Sequence, residues 1–508
     1  MRGSWVPAIF LGIIALSTAC DRPPTPGEEG VLIFSRDTVA FDTVFTTFLT
    51  PSERLLVFNE TGRAIGVDRI WLEDGEDSEF NMIVDGIQAN SVEDLTILSG
   101  DSIHIFINLK SKEKDDLAFD AVLFEVNGEV QRVPVEAFIL DAYFLTARIE
   151  QEGDFLNIAG FFFQQDTTLT PEKPIIMDGP IFIPEGVTVT IQPGTEIFFT
   201  PYKFGIRDSN SAPVFGLFSW LIVDGTLKAE GTPDFPIYFQ GTRLDSAYME
   251  NPAQWRGIWF RESSLDNTLK NCIVKNGLLG VQVDGPSNNQ NPKAKIQYCE
   301  IKNMGAHGVI GVGLDQTGTA LNSPPSILME NSIVNTCKQR TLAILGGGHY
   351  RFYNCTFANY SLFRFSRRTP QMLLTNWWYG DDGESIDVYP TDIEVTNSIV
   401  WGSEEDEVVL DSVLNYDNLR FNNCLLRITE EYQPFVLPHI NDGGVNQDPL
   451  FNDYFVRDYR PRDNSPVINA GIDFPLGSTF YLDDFRNRSD SLRYDGYDIG
   501  ALEYFPLD

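Results

Sequence analysis

The sequence has few basic residues and few histidines. It contains 37 lysines and arginines against 72 aspartates and glutamates, which gives a formal net charge of −35 over 508 residues, and it has 4 histidines. A surface of this charge repels phosphate backbones, so we expect no nucleic-acid partner. The histidines His104, His307, His349 and His439 are far apart and in no zinc-like spacing, so they predict no zinc centre, and we expect no cofactor.

Long hydrophobic runs are equally scarce. One stretch, 6–16, is strongly apolar; it follows Arg2 and leads through small residues to Cys20. It is too short to span a membrane and has the organisation of a secretory signal. Its end resembles the lipobox of bacterial lipoproteins, in which the cysteine is acylated. The resemblance implies a signal peptide at 1–19, lipid attachment at Cys20, an extended tether at 20–30 and a membrane partner. It also implies location in the bacterial envelope, as an outer-membrane lipoprotein on the periplasmic or cell-surface side.

Paired cysteines are missing too. Beyond Cys20 the chain has an odd number of cysteines, namely Cys272, Cys299, Cys337, Cys355 and Cys424, and no CxxC motif. An odd number is a poor disulfide framework. Four of them occupy one position of a repeated octet in which Ser stands in the other copies. We therefore predict small buried thiols, and neither metal ligands nor nucleophiles.

Short alternating strands dominate the first part of the chain. "SERLLVFNE", "DSIHIFINLK" and "DAVLFEVNG" alternate apolar and polar residues, and turn signals such as "DGEDS" separate such segments. About seven strands in roughly 110 residues predict a β-sandwich over 31–145. The region resembles the immunoglobulin-like domains that precede repeat bodies in exported bacterial proteins.

An octet then recurs six times. The copies are "LKNCIVKN", "IQYCEIKN", "MENSIVNT", "FYNCTFAN", "VTNSIVWG" and "FNNCLLRI", with the Cys or Ser at 272, 299, 332, 355, 398 and 424. Repeats of 20–50 residues with short strands predict a solenoid, and irregular spacing favours a β-helix. Cys272 and Val274, two residues apart, are expected to face the interior. Asn271 and its equivalents tolerate the left-handed conformation of a sharp corner, and their stacked amides can bond from coil to coil.

The segments "KPIIMDGPIFIPEGVTVTIQPGTEIFF", "LIVDGTLKAEGTPDFPIYFQGT" and "WRGIWF" precede these octets. Together they resemble the right-handed parallel β-helix of the pectate-lyase-like family. We expect the β-helix over 165–445 and a C-terminal cap region over 446–508. In the cap, "DPLF", "SPVINAG" and "YDIGALEY" resemble the closing signature of exported, surface-anchored β-helix proteins of the Bacteroidetes type. The predicted fold class is therefore all-β.

Three functions stay open at the level of sequence. The first is a non-enzymatic envelope lipoprotein whose β-helix side binds a polysaccharide or protein partner, with Trp377, Trp378 and Tyr379 on a long insertion as candidate carbohydrate contacts. The second is a lyase or glycoside hydrolase acting on an acidic glycan, a class known among β-helix relatives. Its candidate residues are Asp381, Asp382 and Arg364. The third is a structural spacer of the envelope.

Two further motifs favour structural roles. "GAHGV" around His307 lacks the paired aspartates that a hydrolase of this kind would need, so His307 is predicted to lie in a coil turn. Aspartates at 483, 484, 495 and 498 could hold a structural calcium ion in the cap, although their spacing matches no EF-hand.

Overall fold

The computed structural model describes residues 32–45, 52–110, 116–152, 155–201, 218–244, 249–315, 317–362, 366–380, 382–411, 416, 418–472 and 497–504. The predicted signal peptide, the tether and Cys20 lie outside these residues, as do Arg364 and Asp381. None of the helices in the described ranges is long and apolar enough to cross a membrane. The chain divides into two compact units, Met1–Asp141 and Ala142–Asp508.

The first unit is a sandwich of two five-stranded sheets, with the orders β1-β3-β8-β5-β6 and β2-β10-β9-β4-β7. Its described strands are β1 (Ile33–Phe34), β2 (Val39–Phe45), β3 (Glu53–Phe58), β4 (Ile65–Leu72), β5 (Phe80–Val84), β6 (Ile87–Gln88), β7 (Ser91–Ile97), β8 (Ser102–Leu109), β9 (Asp116–Val126) and β10 (Glu129–Leu140). A 3-10 turn lies at Gly75–Asp77. All neighbours pair antiparallel except β2 and β10, which are parallel.

Alternation explains the core of this sandwich. In β8, for example, Ile103, Ile105 and Ile107 are buried and point away from their more exposed neighbours. They share one core cluster with Phe80 of the same sheet and Phe124 of the other sheet. The alternating segments therefore pack two sheets face to face.

The second unit is a stack of coils. Its described strands are β11 (Tyr143–Thr146), β12 (Arg148–Glu152), β13 (Phe155–Phe162), β14 (Thr167–Leu169), β15 (Ile175–Asp178), β16 (Pro180–Ile183), β17 (Thr188–Ile191), β18 (Glu196–Phe199), β19 (Trp220–Val223), β20 (Thr226–Glu230), β21 (Ile237–Gly241), β22 (Ile258–Phe260), β23 (Asn267–Lys270), β24 (Cys272–Lys275), β25 (Leu279–Asp284), β26 (Ala294–Gln297), β27 (Glu300–Met304), β28 (His307–Val312), β29 (Ile327–Glu330), β30 (Ile333–Cys337), β31 (Arg340–Leu345), β32 (Gly348–Tyr353), β33 (Thr356–Asn359), β34 (Met372–Thr375), β35 (Trp377–Tyr379), β36 (Ile386–Val388), β37 (Thr391–Thr396), β38 (Ile399–Gly402), β39 (Val408–Asp411), β40 (Asn418–Leu426), β41 (Ile440–Val445), β42 (Phe451–Asp453) and β43 (Asp458–Pro461). Short helical turns lie at Thr319–Asn322, Gln433–Val436, Leu437–His439 and Tyr454–Val456.

Each coil contributes one strand to each of three parallel faces. Face A is formed by β13, β16, β19, β22, β25, β28, β31, β34 and β39, with β12 antiparallel to β13. Face B is formed by β14, β17, β20, β23, β26, β29, β32, β37 and the first half of β40. Face C is formed by β11, β15, β18, β21, β24, β27, β30, β33, β38 and the second half of β40, and β41 pairs with both halves of β40. Apolar side chains from all three faces fill the interior in one continuous cluster, so the predicted all-β class, a sandwich followed by a parallel β-helix, is confirmed.

The octets form the corner between faces B and C. Asn271, Asn331, Asn354, Asn397 and Asn423 stand at this corner with φ between 45° and 49°, and Tyr298 takes the same place with φ 53°. L-residues rarely adopt this left-handed conformation, and Asn tolerates it best after Gly. The predicted corner role of this Asn is therefore confirmed. The amide of Asn271 donates to the backbone oxygen of Gly231 at 3.0 Å, whereas an amide-to-amide bond joins Asn303 to Asn276 at another corner.

The Cys or Ser that follows the corner Asn points into the core, as predicted, and all six are buried. Each donates to the backbone oxygen two residues earlier; Ser398 reaches Thr396 at 2.8 Å and Cys424 reaches Asn422 at 3.4 Å. Either a thiol or a hydroxyl can make this bond, which explains why the two alternate. The five cysteines at 272, 299, 337, 355 and 424 are free. Burial raises the pKa of the Cys424 thiol to about 12, so it stays an unreactive thiol.

The C-terminal region packs against the outward side of face C. Ile333, Ile399 and Leu425 of that face form an apolar cluster with Phe451 and Val467; its other buried members are Ala358, Trp401, Tyr459, Ile499, Ala501 and Leu502. The last two corner asparagines reach this region. Asn397 exchanges two hydrogen bonds with the backbone of Ile472, both at 2.9 Å, and Asn423 donates to Ala470 at 3.3 Å.

Candidate functional site

Face A is bordered by insertions on both sides. At the corner where coils pass from face A to face B (the A–B corner), insertions occupy 285–293, 313–326 and 376–390. At the corner where coils pass from face C to face A (the C–A corner), they include 200–219, 242–257 and 360–371. The B–C corner needs only one or two residues from β23 onward. Function in repeat bodies concentrates on insertions, so face A is the candidate functional face.

One row of residues runs along the A–B corner, where face A ends. Parallel pairing places its members on successive strands: Asp224, Arg261, Asp284, Val312, Leu345, Thr375 and Asp411. The row therefore carries polar or charged residues at both ends and apolar residues between them. Asp284 and Asp411 are four strand spacings apart, about 19 Å at ~4.8 Å per spacing.

A groove of 720 Å³ lies at the first end of this row, lined by residues of β22, β25 and β28 and of the corners that follow β19, β22, β25 and β28. Arg261 and Asp224 form a two-point ion pair, with Nε to Oδ1 at 2.7 Å. Trp259 Nε1 donates to Asp284 at 2.6 Å, and Gln282 donates to the other oxygen of that carboxylate at 2.9 Å. Glu262, also in the lining, is exposed. The groove thus presents fixed carboxylates and one guanidinium.

A buried lysine supports the groove from below. The Lys293 side chain is fully buried, and its ammonium donates to the backbone oxygens of Glu262 at 2.8 Å, Asp284 at 2.5 Å and Arg261 at 3.4 Å. These oxygens belong to two successive coils, so one side chain ties both corners together. Burial lowers the Lys293 pKa to about 8, against the opposing effect of the Glu262 and Asp284 carboxylates.

Stacked aromatic rings continue along face A next to the groove. Trp220 and Trp259 stack with centroids 4.7 Å apart, and Phe162 and Phe182 stack at 4.5 Å. The guanidinium of Arg256 lies 4.2 Å from the centroid of the Trp220 ring. Trp259 lines the groove, and its ring is held in place by the stacked ring of Trp220.

The predicted aromatic contacts lie at the other end of the row. Trp377, Trp378 and Tyr379 form β35, which pairs with β36 in a hairpin inserted at the A–B corner. Trp377 Nε1 donates to Asp411 at 3.2 Å, which repeats the Trp259–Asp284 pairing. Trp378 is 42% exposed and Tyr379 56% exposed. The hairpin therefore presents aromatic surface to solvent.

Of the residues predicted for catalysis, the structure describes only Asp382. Asp382 Oδ1 accepts hydrogen bonds from the backbone of Glu384 and Ser385 and from the Ser385 hydroxyl, which lower its pKa and make it a turn-forming residue. Its proposed partners Asp381 and Arg364 lie outside the described residues. Nearby, Arg367 forms a buried ion pair with Glu407, so this arginine has a structural role.

No group of three or more potential metal ligands comes together within the described residues. Among the candidate calcium ligands of the cap, those at 483, 484 and 495 lie outside the described ranges. Asp498 is buried and accepts from the backbone nitrogens of Asn469 at 2.7 Å and Tyr504 at 2.6 Å. Burial raises the pKa of this carboxyl, and its role in the structure is to fasten the chain end.

The structure is that of a parallel β-helix protein. Comparisons with known proteins do not narrow this class further. No protein-family model and no curated protein matches the chain. Among solved structures, it is similar to a family 123 glycoside hydrolase from Clostridium perfringens, studied for glycolipid glycan hydrolysis. The identity is 7% and the TM-score 0.16, over 21% of this chain and 25% of the hydrolase. The match thus spans about a quarter of the hydrolase, and a TM-score this low carries no argument.

Sequence reasoning missed most of the groove. "WRGIWF" indicates the fold, but nothing in it marks Trp259 as a site residue. Asp224, Arg261 and Asp284 lie on three coils of different length, so their adjacency follows only from the strand register. A usable signal is that each stands at the end of a short face-A strand: Asp224 and Arg261 follow directly on β19 and β22, and Asp284 is the last residue of β25.

Proposed function

We propose that this chain is a non-enzymatic, lipid-anchored envelope protein that binds a polysaccharide along the A–B corner of face A. The anchor and the envelope location rest on the lipobox-like segment ending at Cys20 and on the resemblance to exported β-helix lipoproteins of the Bacteroidetes type. The single observation that carries the binding proposal is the row from Asp224 to Asp411, with a polar groove at one end and an exposed aromatic hairpin at the other.

The chemistry of the two ends suits sugars. Carboxylates, guanidinium and amide groups held by their neighbours bind hydroxyl groups without rearrangement, which limits the entropy cost of binding. Exposed rings such as Trp378 and Tyr379 offer apolar surface to sugar faces. The separation of about 19 Å between Asp284 in the groove and Asp411 beside the hairpin favours an extended polymer over a single sugar.

The test uses residues 21–508 on a glycan array, with product analysis in the same samples. Trp259→Phe removes the hydrogen bond to Asp284 and keeps a ring stacked on Trp220; a Trp378→Ala/Tyr379→Ala double variant removes the exposed rings. We expect both to weaken binding of the same glycan by roughly ten-fold or more, the equivalent of one or two lost hydrogen bonds. Trp71→Phe, in the sandwich unit, is the matched control and should bind normally.

Other outcomes decide between the alternatives. Cleavage products would show a lyase or glycoside hydrolase and overturn the non-enzymatic assignment. Unchanged binding in both variants would move the glycan site away from face A. Absence of binding to any glycan would leave the protein-partner or envelope-spacer role.

A further inference from the structure

The C–A corner carries basic side chains without acidic partners. His307 and Arg340 begin β28 and β31 and are direct neighbours in the parallel register. Lys338 is exposed two residues before Arg340, and Arg368 is exposed in the insertion 360–371 of the same corner. That insertion touches the Lys338 turn, since Thr369 Oγ1 donates to the backbone oxygen of Gln339 at 3.3 Å. Among the described residues, none of these four bases forms an ion pair.

This is unusual in a chain with about two acids for every base. The adjacent Arg367 shows the ordinary arrangement, because its guanidinium bonds both oxygens of Glu407. At Arg340 and His307 no carboxylate of the described residues takes that place. Instead, His307 Nδ1 and Arg340 Nε are buried and lack any hydrogen-bond partner within the described chain. A buried polar atom left unpaired is unfavourable, so such groups usually have a bound partner.

The local electrostatics agree with the geometry. Burial, followed by the positive charge of Arg340, lowers the His307 pKa to about 4. Burial, followed by the charge of Arg367, lowers the pKa of Arg340. Each of the two groups thus has a cation, and no carboxylate, as its main charged neighbour. An anion at this corner would relieve both effects.

We propose that the C–A corner formed by His307, Lys338, Arg340 and Arg368 is a binding site for an oxyanion, that is, a sulfate, phosphate or carboxylate group. Guanidinium groups bind two oxygens of such a group at once, and the lysine supplies a mobile positive charge at the rim. The site lies on the opposite border of face A from the polar groove. The proposal of an oxyanion site therefore does not depend on the proposed glycan function.

The test is an NMR titration of the histidine side chains of residues 21–508. The chain has 4 histidines, so the His307 signal can be followed directly. The pKa of His307 is measured in chloride alone and with added sulfate, phosphate or acetate at constant ionic strength. We expect a saturable rise of about one unit or more with at least one oxyanion, because a nearby anion favours the imidazolium form. A response to acetate would indicate a carboxylate ligand; a response to sulfate or phosphate only would indicate a tetrahedral one.

Two variants make the assignment specific. Arg340→Gln should abolish the saturable response, and Arg368→Gln, at an exposed position, should weaken it by several-fold in apparent Kd. Arg132→Gln, which removes an exposed arginine paired with Glu73 in the sandwich unit, should leave the response intact. A His307 pKa that responds equally to chloride and to every oxyanion, or that responds equally in Arg368→Gln and Arg132→Gln, would overturn the proposal.

Discussion

At the scale of single residues, the molecule depends on one backbone conformation repeated at the B–C corner. The left-handed φ of 45–53° recurs in six successive coils, and Asn occupies five of the six positions. Asn is favoured there because its short polar side chain tolerates this conformation and can bond neighbouring backbone. The Cys or Ser beside it follows the same logic, since a small donor is needed for the oxygen two residues earlier.

The corner predicts an unusual order of mutational effects at Asn271. Asn271→Ala should lower the free energy of unfolding of the β-helix by about 2 kcal/mol, because it loses the bond to Gly231 and strains a left-handed backbone. Asn271→Gly loses the same bond without that strain and should cost only about 1 kcal/mol. Urea unfolding followed by circular dichroism measures both. Alanine tolerated better than glycine would contradict the assignment of this corner.

At the scale of elements, local patterns predict strands and corners, whereas long-range register builds the site. The octets carry their own corner residue and inward residue, so the coils could be predicted from sequence. Lys293 gave no such signal: it stands among polar and turn residues in "QNPKAKIQ", and its burial follows from two coil corners closing over it. The same holds for Asp284, whose partner Trp259 comes from the preceding coil.

Lys293 makes stability depend on pH in a defined direction. Its pKa of about 8 in the folded chain lies below the unfolded value of about 10.4. Between these values the unfolded chain binds more protons, so the free energy of unfolding rises with pH in this window. Below about pH 8 both states carry the charge, and its burial penalty is fully present.

Urea unfolding at pH 7, 8, 9 and 10 checks this, comparing the wild-type chain with Lys293→Met. The wild-type chain should gain stability relative to this variant by about 2 kcal/mol between pH 8 and 10, whatever the offset at pH 7. Lys295→Met, a nearby lysine on the outward side of face B, serves as the control and should run parallel to the wild type. A constant difference between wild type and Lys293→Met would show that Lys293 does not titrate in this range.

At the scale of the whole β-helix unit, the asparagines of the B–C corner also hold the C-terminal region in place. Ile333, Ile399 and Leu425 project from the outward side of face C, and the C-terminal region covers them. Asn397 serves two purposes, because it turns the coil and also binds the backbone of Ile472 at both its oxygen and its nitrogen. Gly500 adds a bond to the backbone oxygen of Asn397 at 2.8 Å.

Asn397→Gly separates these two purposes. Glycine keeps the left-handed corner but removes both amide bonds to Ile472. The free energy of local opening of the C-terminal region should therefore fall by about 1–2 kcal/mol. Hydrogen exchange in 451–472 and 497–501 should then be about ten-fold faster, while exchange in the interior strands stays unchanged. Asn354→Gly makes the same replacement one coil earlier and is the matched control. If both variants accelerated exchange in the C-terminal region equally, the effect would come from the glycine corner itself, and the amide of Asn397 would have no fastening role.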